Sequence, residues 1–259
     1  MPEILEIEYY RRAGEAALRR PIKKVLMPDG DYLRGVDAAE MRKALKGSLF
    51  TTARRRGKLM MLDVDSGPVL GLRFGMTGRL EVDGAGPIEK LEYAPSRQNP
   101  EWDRFGVEFA DGGTMVVSDP RRLGNVTLDP DLSKMGPDAW TGSVDELTAA
   151  LGTSTTSLKS RLMDQARWAG LGNLLTDETL WRAGLDPHRG AGKLTKPKIA
   201  KLHKTMHAVL NELSERGGSH MGDLQEERSA DGRCPKDGAE LRREKVGGRT
   251  TYWCPKHQS

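Results

Sequence analysis

Apolar and polar residues change their period twice along the 259-residue chain. Residues 3–19 place Ile4, Ile7, Tyr10, Ala13 and Ala17 at helical spacing, which predicts an N-terminal helix. Short apolar or alternating runs follow at 59–64, 69–74, 79–82, 105–109 and 115–118. Gly, Asp and Pro separate them, including the turn Asp111-Gly112-Gly113. These runs predict an antiparallel β domain, a sandwich, over residues 1–135 with the helix at its start. Gly and Pro recur through 129–154 around one short helical stretch, so 136–154 is expected to be a linker. Helical spacing returns at 157–165 and at 173–183, which Gly184 stops. It is strongest at 195–215, where Ile199, Leu202, Met206, Val209, Leu210 and Leu213 form one face before Gly217-Gly218. A helical domain is therefore expected over 155–218, and a polar loop followed by a hairpin over 219–259. The class is α+β and multidomain.

Composition narrows the setting. Charged residues make up 30% and aromatics 5%, and no run of about 18 apolar residues could span a membrane. Glu6, Glu8, Arg11 and Arg12 interrupt the start, which excludes a signal-peptide pattern there and points to the cytoplasm. The net charge of +4 conceals clustering: Arg54, Arg55, Arg56 and Lys58 form one group, Arg121 and Arg122 another. The last 29 residues hold seven Lys/Arg against four Asp/Glu. Focused positive charge of this kind suits a polyanion such as DNA, although a solvated surface would read the same way.

Three short patterns carry chemistry. Cys234-x-x-Asp237 and Cys254-x-x-His257, sixteen residues apart, have the spacing of a zinc ribbon. From Arg233 onward the apolar content is too small for a core, so a metal or a partner surface is required, and one structural Zn²⁺ is expected. Between the knuckles, Val246-Gly247-Gly248-Arg249 predicts a tight hairpin tip with Arg249 projecting, a side chain suited to phosphate. Gly170-Leu171-Gly172-Asn173 separates two helices. Its glycines would let amides approach a phosphate, with Asn173 as N-cap, or they would simply form a turn. At the start, removal of Met1 would expose the secondary amine of Pro2 beside Glu3; an amine that is partly unprotonated near neutrality can form a Schiff base.

Taken in order, six elements resemble one family across essentially the whole chain. They are Pro2-Glu3 with Glu6 and Glu8; Arg56-Gly57-Lys58; Gly75-Met76-Thr77-Gly78; Asp119-Pro120-Arg121-Arg122-Leu123-Gly124; Asp164-Gln165 with Gly170 to Asn173; and the terminal ribbon. They are similar to the formamidopyrimidine-DNA glycosylase and endonuclease VIII family, with its helix–two-turn–helix domain. The resemblance implies a bifunctional DNA glycosylase and abasic-site lyase of base-excision repair. It would be a monomer of bacterial type, associated with the nucleoid, that excises an oxidised base from double-stranded DNA.

Pro2 then corresponds to the nucleophile at C1′, Glu3 to the acid/base at the sugar, and Lys58 to a lysine that contacts phosphate and assists catalysis. Asn173 and Arg249 correspond to residues that grip phosphates, with Gly170, Gly172 and Arg56 also in DNA contact. Met76, Arg121 and Leu123 correspond to the side chains that fill the gap left by a flipped nucleotide. Cys234, Asp237, Cys254 and His257 stand where the family's ribbon holds zinc.

Several positions depart from the pattern. Leu5 replaces proline, Arg73-Phe74 replaces His-Leu, Leu123 replaces an aromatic, and Asp237 and His257 replace cysteines. The segment from Gly217 to Cys234 is short compared with the purine-lesion branch, whose loop there caps 8-oxoguanine, and this puts that lesion in doubt. The competing readings are a non-catalytic or lyase-only binder of damaged or abasic DNA with the same fold, and a zinc-ribbon module on an unrelated N-terminal domain.

Overall fold

The structure, a computed structural model, describes residues 2–259 apart from 89–90, 92–94 and 96–98. The chain forms two compact units: Pro2 with Glu6–Leu132, and Glu3–Leu5 with Ser133–Ser259.

In the first unit, α1 (Ile4–Gly14) precedes β1 (Ile22–Leu26), α2 (Ala38–Leu45), β2 (Phe50–Arg56), β3 (Leu59–Val64) and β4 (Val69–Arg73). Then come β5 (Arg79–Val82), β6 (Asp103–Phe109), β7 (Thr114–Ser118) and β8 (Asn125–Leu128). Two antiparallel sheets, ordered β1-β6-β7-β5 and β2-β3-β4-β8, make the expected sandwich. Phe50, Met60, Leu62 and Leu72 of one sheet share a core with Phe105, Val107, Phe109 and Met115 of the other.

The helix expected to reach residue 19 stops at Gly14, and a single 3₁₀ turn, Glu15–Ala17, follows. A Cβ at Gly14 would lie 2.4 Å from Met60 Cε, so glycine permits close packing while weakening the helix there. The apolar stripe of α1 divides between two cores. Ile7, Tyr10 and Ala17 belong to the sandwich core, whereas Ile4 and Leu5 belong to the helical core of the second unit.

The second unit contains α3 (Val144–Leu151), α4 (Leu158–Met163), α5 (Asn173–Ala183), α6 (Lys196–Arg216) and the hairpin β9 (Arg242–Val246) with β10 (Arg249–Trp253). Residues 136–154, expected as a linker, hold α3, started by a Ser143/Glu146 capping box. Leu147 and Leu151 of that helix are buried in the helical core with Leu202, Met206 and Leu213 of α6. The hairpin's two-residue turn, Gly247-Gly248, has φ of 57° and 76°, the left-handed pair that matches strand twist. A small separate core of Trp181, Leu224, Cys234, Leu241, Tyr252 and Cys254 backs the hairpin, so α5 supplies the surface that the terminal segment lacks. Among the described residues no helix is long and apolar enough to cross a membrane.

Candidate functional site

The N-terminus of α5 is built around a carboxylate. Glu3, 1% exposed, accepts hydrogen bonds from the backbone amides of Gly172 (2.6 Å), Leu174 (2.8 Å) and Leu175 (3.3 Å). A helix start leaves its first amides unpaired and carries partial positive charge, so an anion there is favoured. The sequence reading of Asn173 as N-cap is corrected: Gly172 is the N-cap residue, it makes no side-chain cap bond, and Glu3 provides the oxygens. Glycine is required at both neighbouring positions. A Cβ at Gly172 would lie 2.4 Å from Glu3 Cδ, and one at Gly170 (φ +128°) would lie 2.5 Å from Ile4 Cδ1. The Gly170 carbonyl in turn accepts from the Ile4 amide at 3.1 Å. The glycine loop thus admits the Glu3-Ile4 backbone, and its Gly172 amide, with the Leu174 and Leu175 amides of the first turn of α5, is taken by Glu3 instead of being left for phosphate.

Freed from capping, the Asn173 side chain turns to the hairpin and Nδ2 donates to the Thr250 carbonyl at 3.0 Å. Thr250 follows Arg249, so Asn173 and the exposed hairpin tip are held next to each other. Beneath them lies a buried network. Lys159 Nζ, with a fully buried side chain, meets Asp177 Oδ1 at 2.6 Å and donates to Thr251 Oγ1 at 2.7 Å. Arg228 Nη1 donates to Asp177 Oδ2 at 2.6 Å and its guanidinium lies over the Tyr252 ring. Burial pushes the Lys159 ammonium below its ordinary value, and Asp177 opposes that shift.

In the first unit Pro2 is buried, and Arg56 and Lys58 flank the β2–β3 turn, where Gly57 takes φ +53°. The turn 75–78 and the loop 119–124 meet. Arg121 Nη1 lies 3.9 Å from Met76 Sδ, and a Cβ at Gly75 (φ +57°) would lie 2.5 Å from the Leu123 carbonyl carbon. Leu123 is 47% exposed and Arg121 is exposed, so neither is a core side chain; Met76 is half-buried.

Cys234, Asp237, Cys254 and His257 each offer a ligand atom, all within 4.8 Å of one another. Cys234 Sγ lies 3.5 Å from His257 Nδ1, Cys254 Sγ 3.5 Å from Asp237 Oδ2, and the two non-sulfur ligands 3.0 Å apart. Metal–ligand bonds of about 2.0–2.3 Å in a tetrahedron put ligands roughly 3.3–3.8 Å apart, so the set fits a metal ion with slight adjustment. His257 Nε2 donates to the Trp181 carbonyl at 3.1 Å, which leaves Nδ1 as the ligand, and Trp181 Nε1 donates to Cys234 Sγ at 3.3 Å. The Ala239 amide, with His257 and the cysteines, holds the Asp237 carboxyl down at about 2, an ionised ligand.

Sequence reasoning assigned nothing to Lys159, Asp177, Glu178 or Arg228, and it quoted Asp119 and Thr77 only as parts of motifs. One signal was available: the polar run Thr176-Asp177-Glu178-Thr179 falls inside α5, where all four are buried and the two carboxylates are taken up by ion pairs and backbone amides. Glu178 takes the Asp223 and Leu224 amides at 3.1 and 3.0 Å, fastening the segment after α6.

Comparison with known proteins follows the same division. The family model for the formamidopyrimidine-DNA glycosylase N-terminal domain matches residues 1–126, and that for the H2TH domain of the same enzymes matches residues 135–224. Formamidopyrimidine-DNA glycosylase of Rhodopseudomonas palustris (strain TIE-1) is 31% identical over 290 residues, covering 100% of both chains. That of Arabidopsis thaliana is 30% identical over 277 residues, covering 100% of this chain and 71% of the plant protein. Among solved structures, the Lactococcus lactis enzyme bound to DNA containing an abasic site superposes with a TM-score of 0.84 at 25% identity, covering 100% of each chain. Its complex with DNA containing Fapy-dG gives 0.83 at 26% identity and 99% coverage of each.

Proposed function

The chain belongs to the formamidopyrimidine-DNA glycosylase family, and from that premise we propose that it is a DNA glycosylase with abasic-site lyase activity in base-excision repair. Its partner is double-stranded DNA carrying a damaged base or an abasic site. The observation that carries this reading is the convergence of Met76 with Arg121 and Leu123, the first pair 45 residues apart in sequence, into one partly exposed group. A large apolar side chain held out beside an arginine suits insertion into a base stack from which a nucleotide has been withdrawn.

Once Met1 is removed, the Pro2 nitrogen bonds to C1′ as the C1′–base bond breaks and the base leaves with a proton. The Pro2 nitrogen loses its own proton, and Glu3 carries one to the ring oxygen as C1′–O4′ opens, giving an iminium. Loss of a C2′ proton then expels the 3′ phosphate. Lys58 and Arg56 neutralise phosphate charge near the sandwich, and Asn173 and Arg249 do so on the helical unit. A zinc ion on Cys234, Asp237, Cys254 and His257 would fix the hairpin that presents Arg249 and takes no part in bond breaking.

A panel of duplexes, each carrying one defined lesion or an abasic site, tests the proposal. Strand cleavage at the abasic site and at one or more lesions supports it. Tight binding to the panel with no cleavage contradicts it.

A further inference from the structure

Asp119 is wholly buried, and five donors converge on its carboxylate. Oδ1 accepts from Thr77 Oγ1 at 2.5 Å and from the Arg121 amide at 3.2 Å. Oδ2 accepts from the Tyr32 hydroxyl at 3.1 Å and from the Leu123 and Gly124 amides at 2.8 Å each. The Asp119 carbonyl takes Arg104 Nε at 2.9 Å and the Arg122 amide at 3.3 Å. Burial, then the neighbouring carboxylate, pushes the Tyr32 phenol well above its ordinary value, so it stays a neutral donor. Burying a charge is tolerated only where hydrogen bonds replace its hydration, and an acceptor-only carboxylate can take this many donors at once.

The donors are not a random sample of the unit. Arg121 and Leu123 are two of the three side chains in the exposed group, and Thr77 adjoins the third, Met76. Arg122, between Arg121 and Leu123, is held in the left-handed region at φ 53°, which is rare for a residue with a side chain, and it pairs with Asp29 at 2.7 Å. This reversal turns the following two amides back to Oδ2. The far end of the turn is fixed as well, because the Tyr10 hydroxyl donates to the Gly78 carbonyl at 3.1 Å.

We propose that Asp119 is a positioning residue that locks the turn bearing Met76 and the loop bearing Arg121 and Leu123 into one rigid wedge for the DNA stack. The inference rests on the reading of those three side chains as gap fillers. It assigns Thr77 and Tyr32 as the side chains through which Asp119 acts on the neighbouring segments.

The test uses Asp119→Asn and Thr77→Val in the full chain with Met1 removed. One readout is the fluorescence of 2-aminopurine opposite an abasic site in duplex DNA, which reports stacking at the gap without catalysis. The other is the rate of borohydride trapping on that duplex and on the same abasic strand alone. Asp119→Asn is expected to slow duplex trapping about tenfold and Thr77→Val about threefold, with single-strand trapping within about twofold of the parent. The aminopurine response should fall in the same order. Duplex behaviour within twofold of the parent for both variants, or equal loss on single strands, overturns the inference. If Asp119→Asn does not fold, Thr77→Val decides alone. The Met76→Ala/Leu123→Ala double variant separates the two levels. Should it leave the duplex signal unchanged, the gap-filler reading fails; should it weaken the signal while Asp119→Asn and Thr77→Val do not, only the role of Asp119 fails.

Discussion

The Glu3 carboxylate and the Gly172 amide are joined by a 2.6 Å hydrogen bond, with neither residue accessible to solvent. One side chain therefore serves as the N-cap of α5 while lying directly after the proposed nucleophile. Glu3→Gln keeps the size but turns an amide donor toward other donors. It should lower unfolding free energy by roughly 1–2 kcal/mol as well as abolish most turnover. Chemical denaturation beside an abasic-site cleavage assay checks both. Full stability with lost activity would mean the cap is dispensable.

The proposed function makes Arg249 and Asn173 phosphate contacts. Arg249→Ala should weaken binding to any duplex and reduce the slope of log affinity against log salt by about one. Titrations at several salt concentrations on damaged and undamaged duplexes measure it. An unchanged slope would make Arg249 an ordinary surface residue.

The four-ligand cluster predicts one zinc ion per chain in protein prepared with the metal. Chelation, or Cys254→Ala, should remove it, expose Trp181 and Trp253 near the hairpin to solvent, and weaken DNA binding. Elemental analysis and tryptophan emission follow this directly. Metal-free protein with unchanged emission and affinity would show that the Trp181–Leu241–Tyr252 core suffices.

Acid should loosen the helical unit through Glu212. Hydrogen bonds from Arg182 and Arg216 lower its carboxyl to about 2 from the ordinary 4.5. A depressed acid contributes its stability above the unfolded value, and the contribution fades as pH falls from about 4.5 through about 2. Glu212 is 43% exposed, so solvent screening limits the effect to roughly 0.5–1 kcal/mol. Glu212→Gln should thus be less stable than the parent at pH 6, with the gap narrowing below about pH 4.5 and closing near pH 2. Urea melts across that range test it, and a constant gap would contradict it.

Long periodic segments were legible in the sequence. The α6 face from Ile199 to Leu213 and the strands over 59–64 and 79–82 appear where their spacing puts them. Four elements were missed for identifiable reasons. In β2, only Phe50 and Ala53 are buried, so Arg54-Arg55-Arg56 reads as a charge cluster. β1 carries Lys23-Lys24 within a five-residue strand, and β8 has four residues with one fully buried, Val126. α2 is an eight-residue helix whose signal is the Asp37 cap more than its two buried positions, Met41 and Leu45. At the site, the spacing of the two knuckles pointed to Cys234, Asp237, Cys254 and His257 as one group, whereas Met76, Arg121 and Leu123 were grouped only by the family resemblance. It could not reveal that Glu3 caps α5 or that Lys159 meets Asp177, because both contacts join distant residues through burial.

In the proposed mechanism Pro2 is joined to the sugar as a covalent iminium. Borohydride reduction of the protein on DNA containing an abasic site measures it most directly, with the N-terminal mass determined on the same sample. A stable protein–DNA adduct is expected from chains that begin at Pro2, and none from Pro2→Gly or from chains that retain Met1. No adduct from correctly processed protein, or an adduct undiminished in Pro2→Gly, would contradict it.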